Sequence, residues 1–248
     1  MRRIRIILAY EGTHFHGWQV QPGLPTIQGT LQQVLAQIEG RPVHVVGSGR
    51  TDAGVHALAQ VAAFDFENRI PTENLRRAMN RLLPPSIRVL EAQEAPPDFD
   101  PRRQALWKTY EYRIWRTEIC PPFERRYVHH FPYPLEEERL IAAAPLLEGE
   151  HDFTAFAAPD ESDRPGERRV RRIFSSRAER RQEKLIYRVT GSGFLKHMVR
   201  NIVGTLLEVG KGNLDEAGLR ALLKGGRPGS AGPTAPASGL FLTEVRYW

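Results

Sequence analysis

The chain has 248 residues, of which 41% are hydrophobic and 26% are charged, as in ordinary globular proteins with one large core or two smaller ones. No apolar run reaches the length of about 18 residues that a membrane span requires. Cys120 is the single cysteine, which excludes an internal disulfide and a cysteine-based zinc cluster, so we expect a protein of the reducing cytoplasm.

The net charge is +6, from 35 basic and 29 acidic residues, and 30 of the basic residues are arginines. A guanidinium group pairs with phosphate through two hydrogen bonds and stacks on bases, so the bias favours a nucleic-acid partner. Codon bias or selection for stability would give the same composition. Eight arginines lie between Arg164 and Arg181, against Glu167 and Glu179. A segment of that density attracts polyanions, although a solvated loop also has this composition.

The first half of the chain predicts the element order β-α-β-β-α-β. Alternating or continuous apolar residues indicate strands at residues 3–10, 42–46, 60–66 and 87–94. Apolar residues at helical spacing indicate two helices, which begin after the capping residues Thr26 and Thr72. Pro84 and Pro85 end the second helix. This order is that of the ferredoxin-like split βαβ motif, and the proline-rich residues 95–103 form a linker.

The second half predicts the same order with one additional helix. Strands are expected at residues 109–115, 173–178, 185–190 and 240–247, and helices at residues 135–147, 195–207 and 215–224. The fold class is therefore α+β, with two ferredoxin-like (βαββαβ) halves whose antiparallel sheets flank a central basic cleft. We expect an N-terminal domain at residues 1–103 and a C-terminal domain at residues 104–248.

Residues 47–57, GSGRTDAGVHA, form a glycine-rich turn between two apolar runs. The turn lacks the lysine of a Walker A motif, and Asp52 occupies the place of the third glycine in G-x-G-x-x-G. Neither phosphate-loop template is therefore satisfied. His14 and His16 have the spacing of a metal-binding pair, but no third ligand follows at suitable spacing, so we expect no metal and a surface or base-contacting role for them.

Asp52 remains as a candidate nucleophile or base. In extended chain Arg50 and Asp52 point the same way, because side chains alternate with a period of two. A guanidinium at that range holds a carboxylate ionised, and an ionised carboxylate can attack an electrophilic carbon. An Asx-type turn with a surface ion pair would use the same residues.

Six sequence blocks occur in a fixed order along the chain: YEGTHFHGWQVQ at 10–21, GRTDAGVHA at 49–57, KTYEYR at 108–113, GEHDFTAF at 149–156, GFLKHMVRNIVG at 193–204 and APASGLFL at 235–242. Together they closely resemble the tRNA pseudouridine synthase A (TruA-type) family over nearly the whole chain. The resemblance implies a two-domain α+β fold and a homodimer. It also implies isomerisation of uridine to pseudouridine at positions 38, 39 and 40 of the tRNA anticodon stem-loop, without a cofactor or metal.

The resemblance also implies roles for single residues. Asp52 matches the catalytic aspartate, Arg50 the arginine linked to base extrusion, and Tyr110 the tyrosine that stacks on the target base. Arg200 resembles the basic residue that pairs with the aspartate across the cleft, and Leu240 is expected to line the base pocket. The chain departs from the family pattern at residues 99–102, Phe-Asp-Pro-Arg, which leaves the contacts of that linker open.

Two functions from different classes fit these features. The first is a tRNA-modifying isomerase, in which Asp52 attacks C1′ of the ribose, attacks C6 of the base or assists a glycal route. The second is a non-catalytic RNA-binding or RNA-chaperone protein on the same fold, which the arginine excess alone would explain. Asp52 discriminates between them, because a carboxylate in a basic groove repels phosphate and binding does not require it.

Overall fold

The computed structural model describes residues 1–159 and 168–248, so Arg164 and Glu167 of the predicted basic segment lie outside the described residues. The chain divides into two compact units, one of Met1–Leu106 with Phe241–Trp248 and one of Trp107–Leu240. The last strand, Leu240–Arg246, pairs with a strand of the first unit, and all of its residues except Leu240 are grouped with that unit. The boundary between residues 103 and 104 stays a prediction.

The elements of the first unit are β1 (Arg2–Tyr10), α1 (Ile27–Glu39), β2 (Val46–Gly47), β3 (His56–Phe66), α2 (Thr72–Leu82) and β4 (Ile87–Ala95). Its strands form a sheet in the order β4-β1-β3-β2. All three strand pairs are antiparallel, as in the ferredoxin-like motif. The last strand of the chain, Leu240–Arg246, pairs in parallel with β3, with Phe241 opposite His56.

Two local predictions for the first unit need correction. Of the strand predicted at residues 42–46, only Val46 is in a strand, since β2 spans Val46–Gly47. Side chains of α1 bind the backbone of Val45 instead: Gln28 donates to the Val45 carbonyl at 2.8 Å, and the Val45 N–H donates to Gln32 at 3.3 Å. Thr72 is the first residue of α2 rather than its cap, and the preceding Pro71 makes no capping bond. Thr26 does cap α1, since its hydroxyl accepts the N–H of Gly29.

The elements of the second unit are β5 (Trp107–Trp115), β6 (His129–His130), α3 (Glu137–Ala143), β7 (Gly149–Asp152), β8 (Val170–Arg181), β9 (Lys184–Gly191), α4 (Met198–Gly210) and α5 (Glu216–Leu222). Its sheet has the strand order β5-β9-β8-β7 with antiparallel neighbours, and the short β6 pairs in parallel with β5. The last strand of the chain, Leu240–Arg246, is labelled β10. Helix α4 is buried along most of its length and forms the core of this unit.

Two predicted helices of the second unit have other bounds than their apolar spacing suggests: α4 is shifted toward the C-terminus and ends at Gly210, and α3 is shorter. The helix expected at residues 195–207 begins only at Met198, because His197 adopts a left-handed backbone with φ of 62°. The helix expected at residues 135–147 becomes a 3₁₀ turn at Ala144–Leu147, where Pro145 lacks the N–H that an α-helix needs.

The predicted α+β class with antiparallel sheets is confirmed. Within the described ranges, no helix has the length and apolar character needed to cross a membrane. The fold places residues 48–55, which contain Asp52, between the short β2 and the long β3. It places Tyr110 on β5 and Arg200 in the first turn of α4.

Candidate active site

Asp52 lies in a tight turn that leads into β3. Its carbonyl accepts the N–H of Val55 at 3.2 Å, and Gly54 takes a positive φ of 78° within that turn, a backbone that favours glycine. The neighbouring Thr51 is buried, Asp52 itself is half-buried and Arg50 is exposed. The carboxylate of Asp52 therefore lies at the surface of the turn, while the preceding residue, Thr51, is packed in the core.

A second segment, residues 12–18, braces this turn through its backbone. The N–H of Trp18 donates to the carbonyl of Thr51 at 3.0 Å, and the N–H of Gly54 donates to the carbonyl of Phe15 at 3.2 Å. Gly17 lies against the turn with φ of 81°, and a Cβ at this position would come within 2.5 Å of the Thr51 carbonyl oxygen. Hydrogen bonds on both sides of Asp52 thus hold its backbone in one place.

Buried polar side chains support the turn from inside the unit. The hydroxyls of Tyr10 and Thr51 are hydrogen-bonded at 2.8 Å. The amide of Gln60 donates to the Gly49 carbonyl at 3.1 Å, and its oxygen accepts the Ser48 hydroxyl at 2.6 Å. Burial raises the pKa of Tyr10 to about 12, against the smaller lowering effects of its hydrogen bonds to Thr51 and Gln60. The phenol therefore stays neutral at physiological pH and acts as a fixed support.

His56 is a functional candidate that the sequence analysis missed. Its side chain is almost fully buried, and its Nδ1 accepts the N–H of Gly12 at 3.0 Å. Its ring stacks on Phe241 with 4.7 Å between the centroids. A nitrogen that accepts a hydrogen bond carries no proton, so His56 links the end of the Asp52 turn to residues 12–18 through an unprotonated Nδ1. Its place four residues after Asp52 in the RTDAGVHA motif is the only sequence signal.

In the second unit, the structure separates the roles of the two tyrosines on β5. Tyr112 is fully buried, burial raises its pKa against the opposing charge of Arg200, and its hydroxyl donates to the carbonyl of Pro236 at 2.7 Å. Tyr110 retains 8% exposure, and its ring meets Phe194 edge-on at 5.0 Å. Tyr112 is therefore a core residue, and Tyr110 is the better candidate for base stacking.

Arg200 and Leu240 are organised by the segment that precedes β10. The Nε of Arg200 donates to the carbonyl of Ala235 at 2.7 Å, and the Ala235 N–H donates back to the Arg200 carbonyl at 3.2 Å. The adjacent Pro236 is the acceptor for Tyr112, so residues 235–236 tie α4 to β5. Leu240 follows a 3₁₀ turn and is 4% exposed.

The predicted site residues thus fall into two groups. Asp52 and Arg50 share a loop of the first unit, whereas Tyr110, Arg200 and Leu240 belong to the second unit. His14 and His16 are exposed. Across residues 1–159 and 168–248, no group of three or more His, Cys, Asp or Glu side chains is arranged to hold a metal ion.

A family model described as tRNA pseudouridine synthase matches residues 6–102 and 143–248. The chain belongs to this family. The tRNA pseudouridine synthase A of Solibacter usitatus (strain Ellin6076) is 63% identical over 247 residues, which cover 100% of both chains. The proteins of the same name from Lacticaseibacillus casei (strain BL23) and Geotalea uraniireducens (strain Rf4) are each 44% identical and also cover 100% of both chains.

The resemblance inferred from the six sequence blocks is confirmed by these matches. The solved crystal structure of a Cbf5-Nop10-Gar1 complex aligns with 82% of this chain and 54% of its own chain, with a TM-score of 0.35 and 15% sequence identity.

We predict that His56→Phe slows product formation while leaving the fold in place. Phenylalanine keeps a ring for stacking on Phe241 but leaves the buried N–H of Gly12 without its acceptor, at a cost of about 1–3 kcal/mol in unfolding free energy. Because the Asp52 turn then loses one support, the single-turnover rate at saturating tRNA should fall by about tenfold or more. Urea unfolding and rapid-quench kinetics measure the two effects.

His44→Phe is the matched control, because His44 is exposed in the same unit. It should leave both the stability and the rate as in the unaltered chain. A His56→Phe variant that reacts at the unaltered rate would show that this histidine does not position the turn.

Proposed function

We propose that this chain isomerises uridine to pseudouridine at positions 38, 39 and 40 in the anticodon stem-loop of tRNA, as a cytoplasmic homodimer. Family membership identifies it as an isomerase that acts on uridine in tRNA. The observation that supports a catalytic role for Asp52 is the frame around it: a half-buried carboxylate on a turn whose backbone is hydrogen-bonded on both sides.

The chemistry suits a single fixed carboxylate. The reaction breaks the N1–C1′ bond, rotates the uracil and forms a bond between C5 and C1′, so substrate and product are isomers and no electrons are exchanged with another molecule. Asp52 attacks C1′ to give a glycosyl ester, attacks C6 of the ring or assists departure through a glycal. Each route requires an ionised carboxylate held at a defined position against the base.

The other residues meet the remaining requirements of the reaction. The target base must leave the stem, which costs a few kcal/mol, and an aromatic ring that stacks on it returns about 1–3 kcal/mol. We assign this stacking to Tyr110, base extrusion to Arg50 and charge compensation of the aspartate to Arg200. Leu240 is assigned to the apolar wall of the base pocket.

RNA binding is assigned to the arginines that lead into and begin β8. Arg168 and Arg172 are exposed, and Arg169 and Arg171 are half-buried. Burial and the positive charge of Arg169 lower the pKa of Arg171, as expected where cations are crowded. A phosphate group close to these side chains would relieve their mutual repulsion.

A non-catalytic RNA-binding protein is the less favoured reading. It would account for the basic surface but gives no reason to fix a carboxylate in the turn at residues 51–55. Carbodiimide mapping of pseudouridine in tRNA that has been incubated with the purified chain alone tests the two readings. Stops at positions 38 to 40 support the isomerase, and unmodified tRNA would contradict it.

We expect Asp52→Asn to abolish pseudouridine formation and to keep or slightly raise tRNA affinity, since it removes one negative charge. Carbodiimide mapping and filter binding measure the two quantities. Asp65→Asn is the control, because it makes the same charge change at an exposed position of β3. Substantial turnover by Asp52→Asn would exclude the nucleophile role.

Substitutions of Tyr110 separate its ring from its hydroxyl. Tyr110→Phe should retain most activity because the stacking surface remains, whereas Tyr110→Leu should lose the aromatic platform and about 1–3 kcal/mol of stacking free energy. The measurement is the single-turnover rate at saturating tRNA. If Tyr110→Leu keeps the full rate, the ring serves only the packing against Phe194.

Replacement of Arg168, Arg169, Arg171 and Arg172 by glutamine should weaken binding to all substrate tRNAs alike. Binding through phosphates releases counterions, so the salt dependence of the association constant should also become shallower. The same substitution at four exposed arginines of the first unit, Arg41, Arg69, Arg77 and Arg81, removes the same number of charges and controls for the overall change of charge. Unchanged affinity and slope in the fourfold variant would place the RNA surface elsewhere.

A further inference from the structure

Asp152 is a buried carboxylate at the end of β7, with 4% of the residue exposed. Its Oδ1 accepts the backbone N–H and the hydroxyl of Thr154 and the backbone N–H of Arg169, at 3.1 Å for the last bond. Its Oδ2 accepts the Nε of Arg168 at 3.3 Å. A buried carboxylate costs free energy unless such donors surround it, and here two of the donors belong to the arginine segment.

The contacts of Asp152 fix the backbone just before β8 begins. The N–H of Arg169 is shared between the Asp152 carboxylate and the Thr154 hydroxyl, the latter at 3.0 Å. The carbonyl of Arg169 accepts the N–H of Phe153 at 3.1 Å. Both polar backbone groups of Arg169 are thus held by residues 152–154, which determines where β8 starts and how its arginines are presented.

The carboxylate is also enclosed on its other side by the end of α5. The N–H of Asp152 donates to the carbonyl of Leu223 at 3.2 Å. Gly225, with φ of 110°, lies so close that a Cβ there would come within 2.7 Å of Oδ2. Burial tends to raise the pKa of Asp152, but the hydrogen bonds from Thr154, Arg169 and Arg168 outweigh it and lower the pKa. The group is therefore ionised at neutral pH.

A fixed negative charge beside four arginines should oppose RNA binding if charge alone mattered. We propose that Asp152 is a positioning residue for RNA binding, which fixes the start of β8 so that Arg168, Arg169, Arg171 and Arg172 meet the phosphates of a folded RNA together. The affinity gained by this arrangement exceeds the repulsion of the carboxylate itself. The proposal rests on the assignment of these arginines to tRNA binding.

Asp152→Asn and Glu150→Gln make the matched pair that tests it. Both remove one negative charge from β7, two residues apart, but Glu150 is exposed and lies opposite Arg172. Charge alone predicts slightly tighter tRNA binding by both variants. Positioning predicts equal or tighter binding by Glu150→Gln, and binding about three- to tenfold weaker by Asp152→Asn with a shallower salt dependence. Asparagine keeps one acceptor oxygen but cannot pair with the Arg168 guanidinium.

Two further variants keep the test decisive. Arg168→Gln should weaken binding less in the Asp152→Asn chain than in the unaltered chain, because the two side chains act together. Thr154→Val leaves the charge unchanged and removes the hydroxyl between Asp152 and Arg169, so it should also weaken binding. It decides the matter if Asp152→Asn does not fold.

Tighter or unchanged tRNA binding by Asp152→Asn would overturn the proposal. If Asp152→Asn does not fold, unchanged tRNA binding by a folded Thr154→Val would overturn it instead. These results leave the isomerase function intact, because carbodiimide mapping with the unaltered chain tests that function separately. An unaltered chain that does not bind tRNA would overturn both.

Discussion

The contact between two backbone segments, residues 12–18 and residues 51–55, is the constraint on which the proposed chemistry depends. A carboxylate catalyses a reaction at a carbon atom only if its position is defined to a fraction of an ångström, and a surface turn alone does not provide this. Here the turn is hydrogen-bonded through the backbone of Thr51 and Gly54 to residues 12–18. The buried side chains of Tyr10, Gln60 and His56 support it from the interior of the unit. The carboxylate itself stays half-buried.

In the second unit, hydrogen bonds to the backbone also fix the positions of candidate functional side chains. Residues 235–236 bind both Arg200 and Tyr112 through their carbonyls, so a short loop orients one side chain and anchors another in the core. Asp152 likewise binds the backbone of Arg169 and the side chain of Arg168. In both places, hydrogen bonds to a neighbouring residue fix the orientation of an arginine side chain.

The sequence was sufficient for the family, for the class of fold and for most strands and helices, because hydrophobic periodicity and a specific motif report local structure directly. The catalytic role of Asp52 stays a prediction. The sequence could not show that the backbone of Val45 is hydrogen-bonded to a side chain of α1 rather than to another strand. Nor could it show that β10 pairs with β3 or that His56 accepts the N–H of Gly12. These contacts join residues far apart in the chain or depend on the orientation of one side chain. Asp152 carried no sequence signal beyond its block, since the donors that surround its carboxylate approach from residues 154, 168 and 169.

The most direct test of the backbone frame compares Gly17→Ala with Gly23→Ala. Both glycines have positive φ, at 81° and 72°, but a Cβ at Gly17 would strike the Thr51 carbonyl whereas a Cβ at Gly23 would meet nothing within 4 Å. The measurement is the single-turnover rate of pseudouridine formation at saturating tRNA. If the frame positions Asp52, Gly17→Ala loses at least about a hundredfold in rate while Gly23→Ala stays close to the unaltered chain. Equal rates in the two variants would contradict the account.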